Sequence, residues 1–214
     1  MKTFVVNASP RKHWNTARIL HAAAEGAKAA GAEVQGADLY DIDFHGCRSC
    51  MLCKRLGAEP CRCCWKDGLS PILEQVYAAD TLLIGTPIYF GRPTSAYFAF
   101  LERLRFPALS YDDYGNLFKG RVNVGLFVTM NAKKDMYDKL YAADFAAYAD
   151  EFRFLNGEVR LYPVSDTLQV TDYTKFAMKG FSEAEKKKAN AERFPADLQN
   201  AYQLGASLSR HATP

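Results

Sequence analysis

One alternation restricts what this chain can fold into. Short apolar runs rich in β-branched residues recur along it, each followed by a stretch with helical spacing. The first run, Thr3-Phe4-Val5-Val6, ends in the turn Asn-Ala-Ser-Pro. Asn15-Thr16 then caps a helix on which Ile19, Leu20, Ala23, Ala24 and Ala27 share a face, and Gly31 stops it. Residues 33–40, 81–84, 122–129 and 159–164 read as further strands, and residues 70–79, 94–104 and 133–154 as helices. Runs as continuously apolar as 81–84 belong to strands buried on both faces. Strands alternating with helices predict an α/β fold, a doubly wound parallel sheet of five strands.

The 214 residues suit one domain with an extension. The sheet domain is expected over 1–164, including a cysteine-rich loop at 45–66, with a C-terminal arm and helix over 165–214 that packs on the domain or on a partner subunit. Residues 165–181 have no clear period and carry exposed-looking aromatics, Tyr173 and Phe176, which with Phe181 are candidate anchors for the arm. Ser182 and Glu185 form a capping box, the run Lys186-Lys187-Lys188 reads as a solvated face, and a final helix begins near Pro195.

The net charge of +3 is slight and the basic residues are spread out, so neither nucleic acid nor a membrane surface is expected as a partner. Phe4-Val5-Val6 is too short for a secretory core, and no apolar run is long enough to span a bilayer. A cytoplasmic setting follows as the expectation, and there thiols stay reduced.

In an open α/β sheet, ligands bind beyond the carboxyl ends of the strands. The loop after the first strand offers free backbone N–H groups, a helix N-terminus, and donors from Ser9, Arg11, Asn15 and Thr16, a set that suits a phosphate monoester. Neither the G-x-x-x-x-G-K-[ST] loop nor the G-x-G-x-x-G fingerprint is present, and Ser9 and Asn15 also read as plain turn and capping residues. Two more loops should open on the same edge: Pro87-Ile88-Tyr89-Phe90-Gly91, aromatic and suited to a flat ring, and Thr129-Met130-Asn131. A phosphate site beside an apolar slot fits flavin mononucleotide (FMN).

These segments resemble the flavodoxin-like NADPH-dependent FMN reductases, and within them the iron–sulfur flavoproteins. NASPRKHWNTARIL is similar to the family's opening G-S-P-R-x-x-x-N-T, TPIYFGRPTSAYFAFLERL to its second flavin loop and helix, and ERFPADLQNAYQLGASL to its C-terminal helix. The resemblance implies that Ser9, Arg11, Asn15 and Thr16 hold the FMN phosphate, that Pro87, Ile88, Tyr89, Phe90 and Gly91 line the isoalloxazine, and that Thr129 and Asn131 lie near its other side. Trp14 stands where the family usually has a small residue.

All six cysteines fall within GCRSCMLCKRLGAEPCRCCW, residues 46–65. The core Cys47-x2-Cys50-x2-Cys53 is the compact spacing of a cubane [4Fe–4S] cluster that a fourth cysteine completes. Iron–sulfur flavoproteins carry a similar motif at this place. The fourth ligand is Cys63, by its register before Asp67, or Cys61, by its shorter spacing. Structural zinc and free redox-active thiols remain open. Lys54, Arg55 and Arg62 would raise a cluster's potential or are simply exposed.

His13, His21, His45 and His211 are scattered and none is assigned a catalytic role. The expected function is an FMN-dependent oxidoreductase exchanging electrons between FMN and the cluster, with NAD(P)H or ferredoxin as donor and a homodimer or homotetramer as the assembly. The alternatives are an NAD(P)H-dependent FMN or quinone reductase without a cluster, and a flavodoxin-like protein with a zinc loop.

Overall fold

The computed structural model describes residues 1–210; the last four positions, His211 among them, lie outside the described residues. The elements in chain order are β1 (Lys2–Asn7), α1 (Asn15–Ala29), β2 (Glu33–Asp38), α2 (Ser70–Tyr77), β3 (Thr81–Pro87), α3 (Ser95–Arg105), β4 (Val122–Thr129), α4 (Lys134–Leu140), α5 (Ala142–Asp150), β5 (Asn156–Val164), α6 (Glu183–Glu192) and α7 (Phe194–Leu208). The five strands form one sheet in the order β2-β1-β3-β4-β5, and every neighbouring pair is parallel. This is a flavodoxin-like α/β fold.

Alternate residues of a strand point to opposite faces, and here both faces are apolar. Phe4, Val6, Leu82, Ile84, Leu126 and Val128 pack with α2, α3 and α5 through Leu73, Val76, Tyr97, Phe100 and Phe145. Leu83 and Phe127 pack on the other face with Ile19, Leu20 and Ala23 of α1 and Ala201 and Leu208 of α7. Each such large side chain contributes about 2 kcal/mol on burial. No helix among the described residues is long and apolar enough to cross a membrane.

Several local expectations need correction. β2 stops at Asp38 because Leu39 turns inward, 1% exposed, on a single 3-10 turn. The helix expected over 133–154 breaks at Tyr141, whose φ of −128° leaves the helical region. The Tyr141 ring sits against Gly91, so packing on that loop outweighs the helix propensity of the surrounding alanines. β5 begins three residues earlier than its apolar pattern, at Asn156, across a register shift opposite Val122 and Val124. Asn15 and Thr16 do not cap α1; they are its first two residues, and Trp14 holds the cap position without a side-chain bond.

The arm differs too. Tyr173 is buried, and its hydroxyl accepts the Gln169 N–H at 3.0 Å, whereas Phe176 and Phe181 stay about half exposed. Lys186 is no part of a solvated face. It is 5% exposed and donates to Asp166 at 2.6 Å and to the Asn131 carbonyl at 2.5 Å, while Arg193 pairs with the other Asp166 oxygen. This triad ties α6 and the arm to the loop after β4. Burial pushes the Asp166 carboxyl up, but Lys186 and Arg193 outweigh it and hold the group below the usual carboxylate range. A depressed folded-state pKa stabilises above the unfolded value of about 3.9 and is lost as pH falls through the folded one. Urea unfolding of the wild type should therefore weaken below about pH 4, and Asp166→Asn should cost about 3 kcal/mol at pH 7, because Lys186 is left buried without its charge partner. An unchanged urea midpoint in the variant would refute this.

Candidate functional site

The strand order reverses between β1 and β3, and α1 and α3 leave on opposite faces of the sheet, which opens a crevice at the carboxyl edge. Three loops meet there. The Ala8 N–H donates to the Gly85 carbonyl at 2.8 Å, and Thr94 Oγ1 donates to the Ala8 carbonyl at 2.8 Å. The Ile88 N–H donates to the Thr129 carbonyl at 2.9 Å, and the hydroxyls of Thr16 and Thr129 lie 2.7 Å apart.

In the first loop Ser9 is buried, its N–H donates to Asn7 Oδ1 at 3.0 Å, and its Oγ accepts the Arg11 N–H at 3.2 Å. Other candidate donors turn toward the arm. Arg11 donates to the Gln169 carbonyl at 2.7 Å, Asn15 Nδ2 to that of Leu168 at 2.8 Å, and Trp14 Nε1 also to Leu168 at 3.0 Å. The Arg11 guanidinium lies over the Trp14 ring, 4.2 Å from its centre. The indole where a small residue was expected thus anchors residues 168–169 beside the loop. Because Trp14 supplies no cap, the first-turn N–H groups of α1 face the loop.

Pro87 ends β3, and Ile88 is half-buried against the core. Tyr89 and Arg92 exchange backbone hydrogen bonds of 2.8 and 3.0 Å around Phe90 at φ +51° and Gly91 at φ +78°. Two successive positive φ values make a type I′ turn. Gly suits the second position, where a Cβ would lie 2.9 Å from the Tyr141 ring; Phe at the first is strained, and its side chain is fully exposed. Tyr89 is partly exposed, and burial, then neighbouring Tyr40, push its hydroxyl pKa up. In the third loop Thr129 spends its hydroxyl on Thr16, and Asn131 Oδ1 is buried with no partner among the described residues.

The cysteine-rich loop leaves β2 and folds over the C-terminal half of α3. Cys47, Cys50, Cys53, Cys63 and Cys64 line one small cavity with Arg103 and Phe106. The Cys47 N–H donates to Glu102 Oε2 at 3.0 Å. Cys61 is absent from that lining. Its backbone sits at φ +61°, its N–H donates to the Pro107 carbonyl at 3.2 Å, and its thiol faces Tyr77 and the apolar core. Burial pushes the thiols of Cys53 and Cys61 up, against the pull of Lys54. Lys54 is otherwise occupied by the carbonyls of Phe106 and Leu109, and Arg62 by Glu59 at 2.5 Å. Among the described residues no three His, Cys, Asp or Glu side chains converge as ligands of a single ion.

Sequence reasoning missed Arg103. Its side chain is 2% exposed, pairs with both oxygens of Asp67, and donates from Nε to Cys63 Sγ at 3.1 Å. A signal existed: Arg103 falls three residues after Phe100, on the stripe that also carries Tyr97 and Leu104, where a lone charge needs a partner. The Leu168 and Gln169 carbonyls left no such mark.

Comparison with known proteins bears on the family and the fold. A 105-residue stretch is 34% identical to an iron-sulfur flavoprotein of Archaeoglobus fulgidus, covering 49% of each chain. A 103-residue stretch is 29% identical to one from Methanosarcina thermophila, covering 48% of this chain and 52% of that protein. The match thus spans about half the length of these relatives. Among solved structures, an NAD(P)H:quinone oxidoreductase from Methanothermobacter marburgensis superposes with a TM-score of 0.73 at 15% identity, covering 97% of this chain and 98% of that one. An azoreductase from Bacillus anthracis does so at 0.67 and 16%, covering 97% and 99%. At such identities these structures speak for the fold alone. The sequence model of NADPH-dependent FMN reductase matches residues 1–137, well over half of the chain. The chain belongs to the NADPH-dependent FMN reductase family.

Proposed function

We propose that the protein is an FMN-dependent oxidoreductase in which electrons pass between FMN at the carboxyl edge of β1 and β3 and a [4Fe–4S] cluster held by Cys47, Cys50, Cys53 and Cys63. The observation that carries the cluster is the shared cavity, lined by these four thiols and Cys64 and backed by an arginine that donates to Cys63.

The residues present fit both groups. For FMN, the uncapped N-terminus of α1, with Ser9 and Thr16 beside it, offers N–H groups and a positive dipole end to a phosphate. Asn131 brings a buried oxygen, without a partner among the described residues, able to accept from a ring N–H. Pro87, Ile88, Tyr89, Phe90 and Gly91 supply an apolar wall, and Arg11 and Asn15 secure the arm across the loop or turn to the phosphate. For the cluster, soft thiolates spaced two residues apart suit iron and sulfide. Bound FMN supplies hydride and single-electron chemistry, and the chain's part is to bind, orient and tune it. NAD(P)H or ferredoxin is the proposed donor.

Thr94 marks the flavin end of α3 and Arg103 the thiol end, about 14 Å apart at the rise of an α-helix. A second copy would shorten that path. Fully exposed Leu56 on the cysteine loop and Phe90 on the flavin loop supply apolar surface for it, in a homodimer or homotetramer.

The test is purification without oxygen, followed by light scattering and by analysis of iron, zinc and flavin per chain. About four irons with FMN in an oligomer is the expected result. One zinc and no iron would defeat the cluster, flavin without metal would leave a plain reductase, and a monomer would defeat the intersubunit path.

A further inference from the structure

We propose that Arg103 is the positioning residue of the thiol site. It fixes Cys63 as the thiolate that joins Cys47, Cys50 and Cys53, and its N–H bond to that sulfur holds the reduction potential of the site up. The inference rests on the cluster reading above.

Arg103 uses all of its directions. Nε donates to Cys63 Sγ at 3.1 Å. Nη1 donates to the His45 carbonyl at 3.0 Å and to Asp67 Oδ2 at 2.6 Å. Nη2 donates to the Trp65 carbonyl at 3.0 Å and to Asp67 Oδ1 at 3.1 Å. His45 and Asp67 stand at the two ends of the cysteine loop, so one guanidinium rising from α3 closes the neck of the loop and holds Cys63 beside it. A lysine has three donors on a flexible stem and cannot reproduce this planar fork.

The electrostatics point the same way. A guanidinium this buried is tolerated because Asp67 neutralises it. Burial pushes the Asp67 carboxyl up, and the bonds from Arg103 outweigh that and keep it ionised. The pair is neutral as a whole, but its positive end faces the sulfur. N–H donation to a ligating sulfur and positive charge beside it both favour the more reduced, more negative cluster. Among the described residues no guanidinium stands beside Cys61: the group its thiol faces is the uncharged Tyr77 phenol.

Arg103→Gln, Arg103→Lys and Asp67→Asn, prepared without oxygen and reconstituted with iron and sulfide, test this. The readouts are iron and sulfide per chain under a chelator, flavin per chain, and the cluster's midpoint potential by paramagnetic resonance. Arg103→Gln should keep its flavin, hold iron about 10-fold or more less tightly, and leave the remaining clusters at a lower potential. Arg103→Lys should recover part of the potential but not the retention. Asp67→Asn, which removes only the negative end of the pair, should shift the potential upward, and it decides the matter if Arg103→Gln does not fold. Wild-type potentials in Arg103→Gln and Asp67→Asn would overturn the proposal, even with iron lost, since a mere clamp on the loop would behave so. Wild-type protein that takes up no iron would overturn the cluster reading and this inference with it.

Discussion

Cys63→Ser is expected to release the iron that Cys61→Ser retains. The two positions are separated by a single residue, and both thiols are partly buried. Their surroundings differ in kind. Cys63 shares a cavity with Cys47, Cys50 and Cys53 and receives an N–H from Arg103. Cys61 lies outside that cavity, with its backbone N–H held by the Pro107 carbonyl and its thiol toward Tyr77. Swinging it in would break that hydrogen bond and leave its left-handed backbone, at φ +61°, to be rebuilt. Serine lacks the soft sulfur that iron prefers. Iron in Cys63→Ser should therefore fall from about four per chain to near none, with flavin content unchanged, while Cys61→Ser keeps both. Cys64 lines the same cavity but lies outside the proposed ligand set and receives no N–H from Arg103, which goes to Cys63, so Cys64→Ser is the control that keeps its iron. The reverse pattern, with iron lost from Cys61→Ser and kept in Cys63→Ser, would reject this ligand set.

What the sequence could reveal follows from the range of the forces involved. β3 and β4 are buried on both faces, so their apolar character is continuous and needs no partner to be recognised. Once the strands alternate with helices, parallel topology brings the loops after β1, β3 and β4 to one edge, and the contacts among Thr16, Thr129, Ile88 and Ala8 follow from that. Other features depend on residues far away in the chain. Lys186 looks solvated until Asp166 is folded against it, and Trp14 and Asn15 meet Leu168 from more than a hundred residues away. Tyr141 breaks a helix for the sake of a turn around Gly91. The spacing of the cysteines leaves Cys61 and Cys63 open, because the features that favour Cys63 in the proposed ligand set, the sign of one φ angle and an arginine on α3, are set by the fold.

Gly205→Ala should destabilise the protein although it replaces glycine by the best helix former. In an exposed helix interior the exchange would gain about 1 kcal/mol. Here α1 and α7 cross in backbone contact: a Cβ at Gly205 would overlap the Ala23 carbonyl oxygen, and one at Gly26 would overlap that of Tyr202. Neither obstacle is the flexible end of a side chain, so the helices must part. Parting them loosens Ile19, Leu20, Ala201 and Leu208 against Leu83 and Phe127, the packing of one whole face of the sheet. Overpacking of this kind costs about 1–3 kcal/mol, and more where backbone has to move. A net loss of about 2 kcal/mol, seen as a fall of about 5 °C in Tm, is the expected result. Gly180→Ala, where nothing lies within 4 Å of the added carbon, should stay near the wild type. Since α1 also presents its N-terminus to the loop after β1, the proposed phosphate site, Gly205→Ala should weaken FMN retention as α1 shifts, with iron content unaffected. A variant as stable as the wild type would mean that α7 is free to move away from α1, and that the arm does not fix the helix that carries the proposed phosphate site.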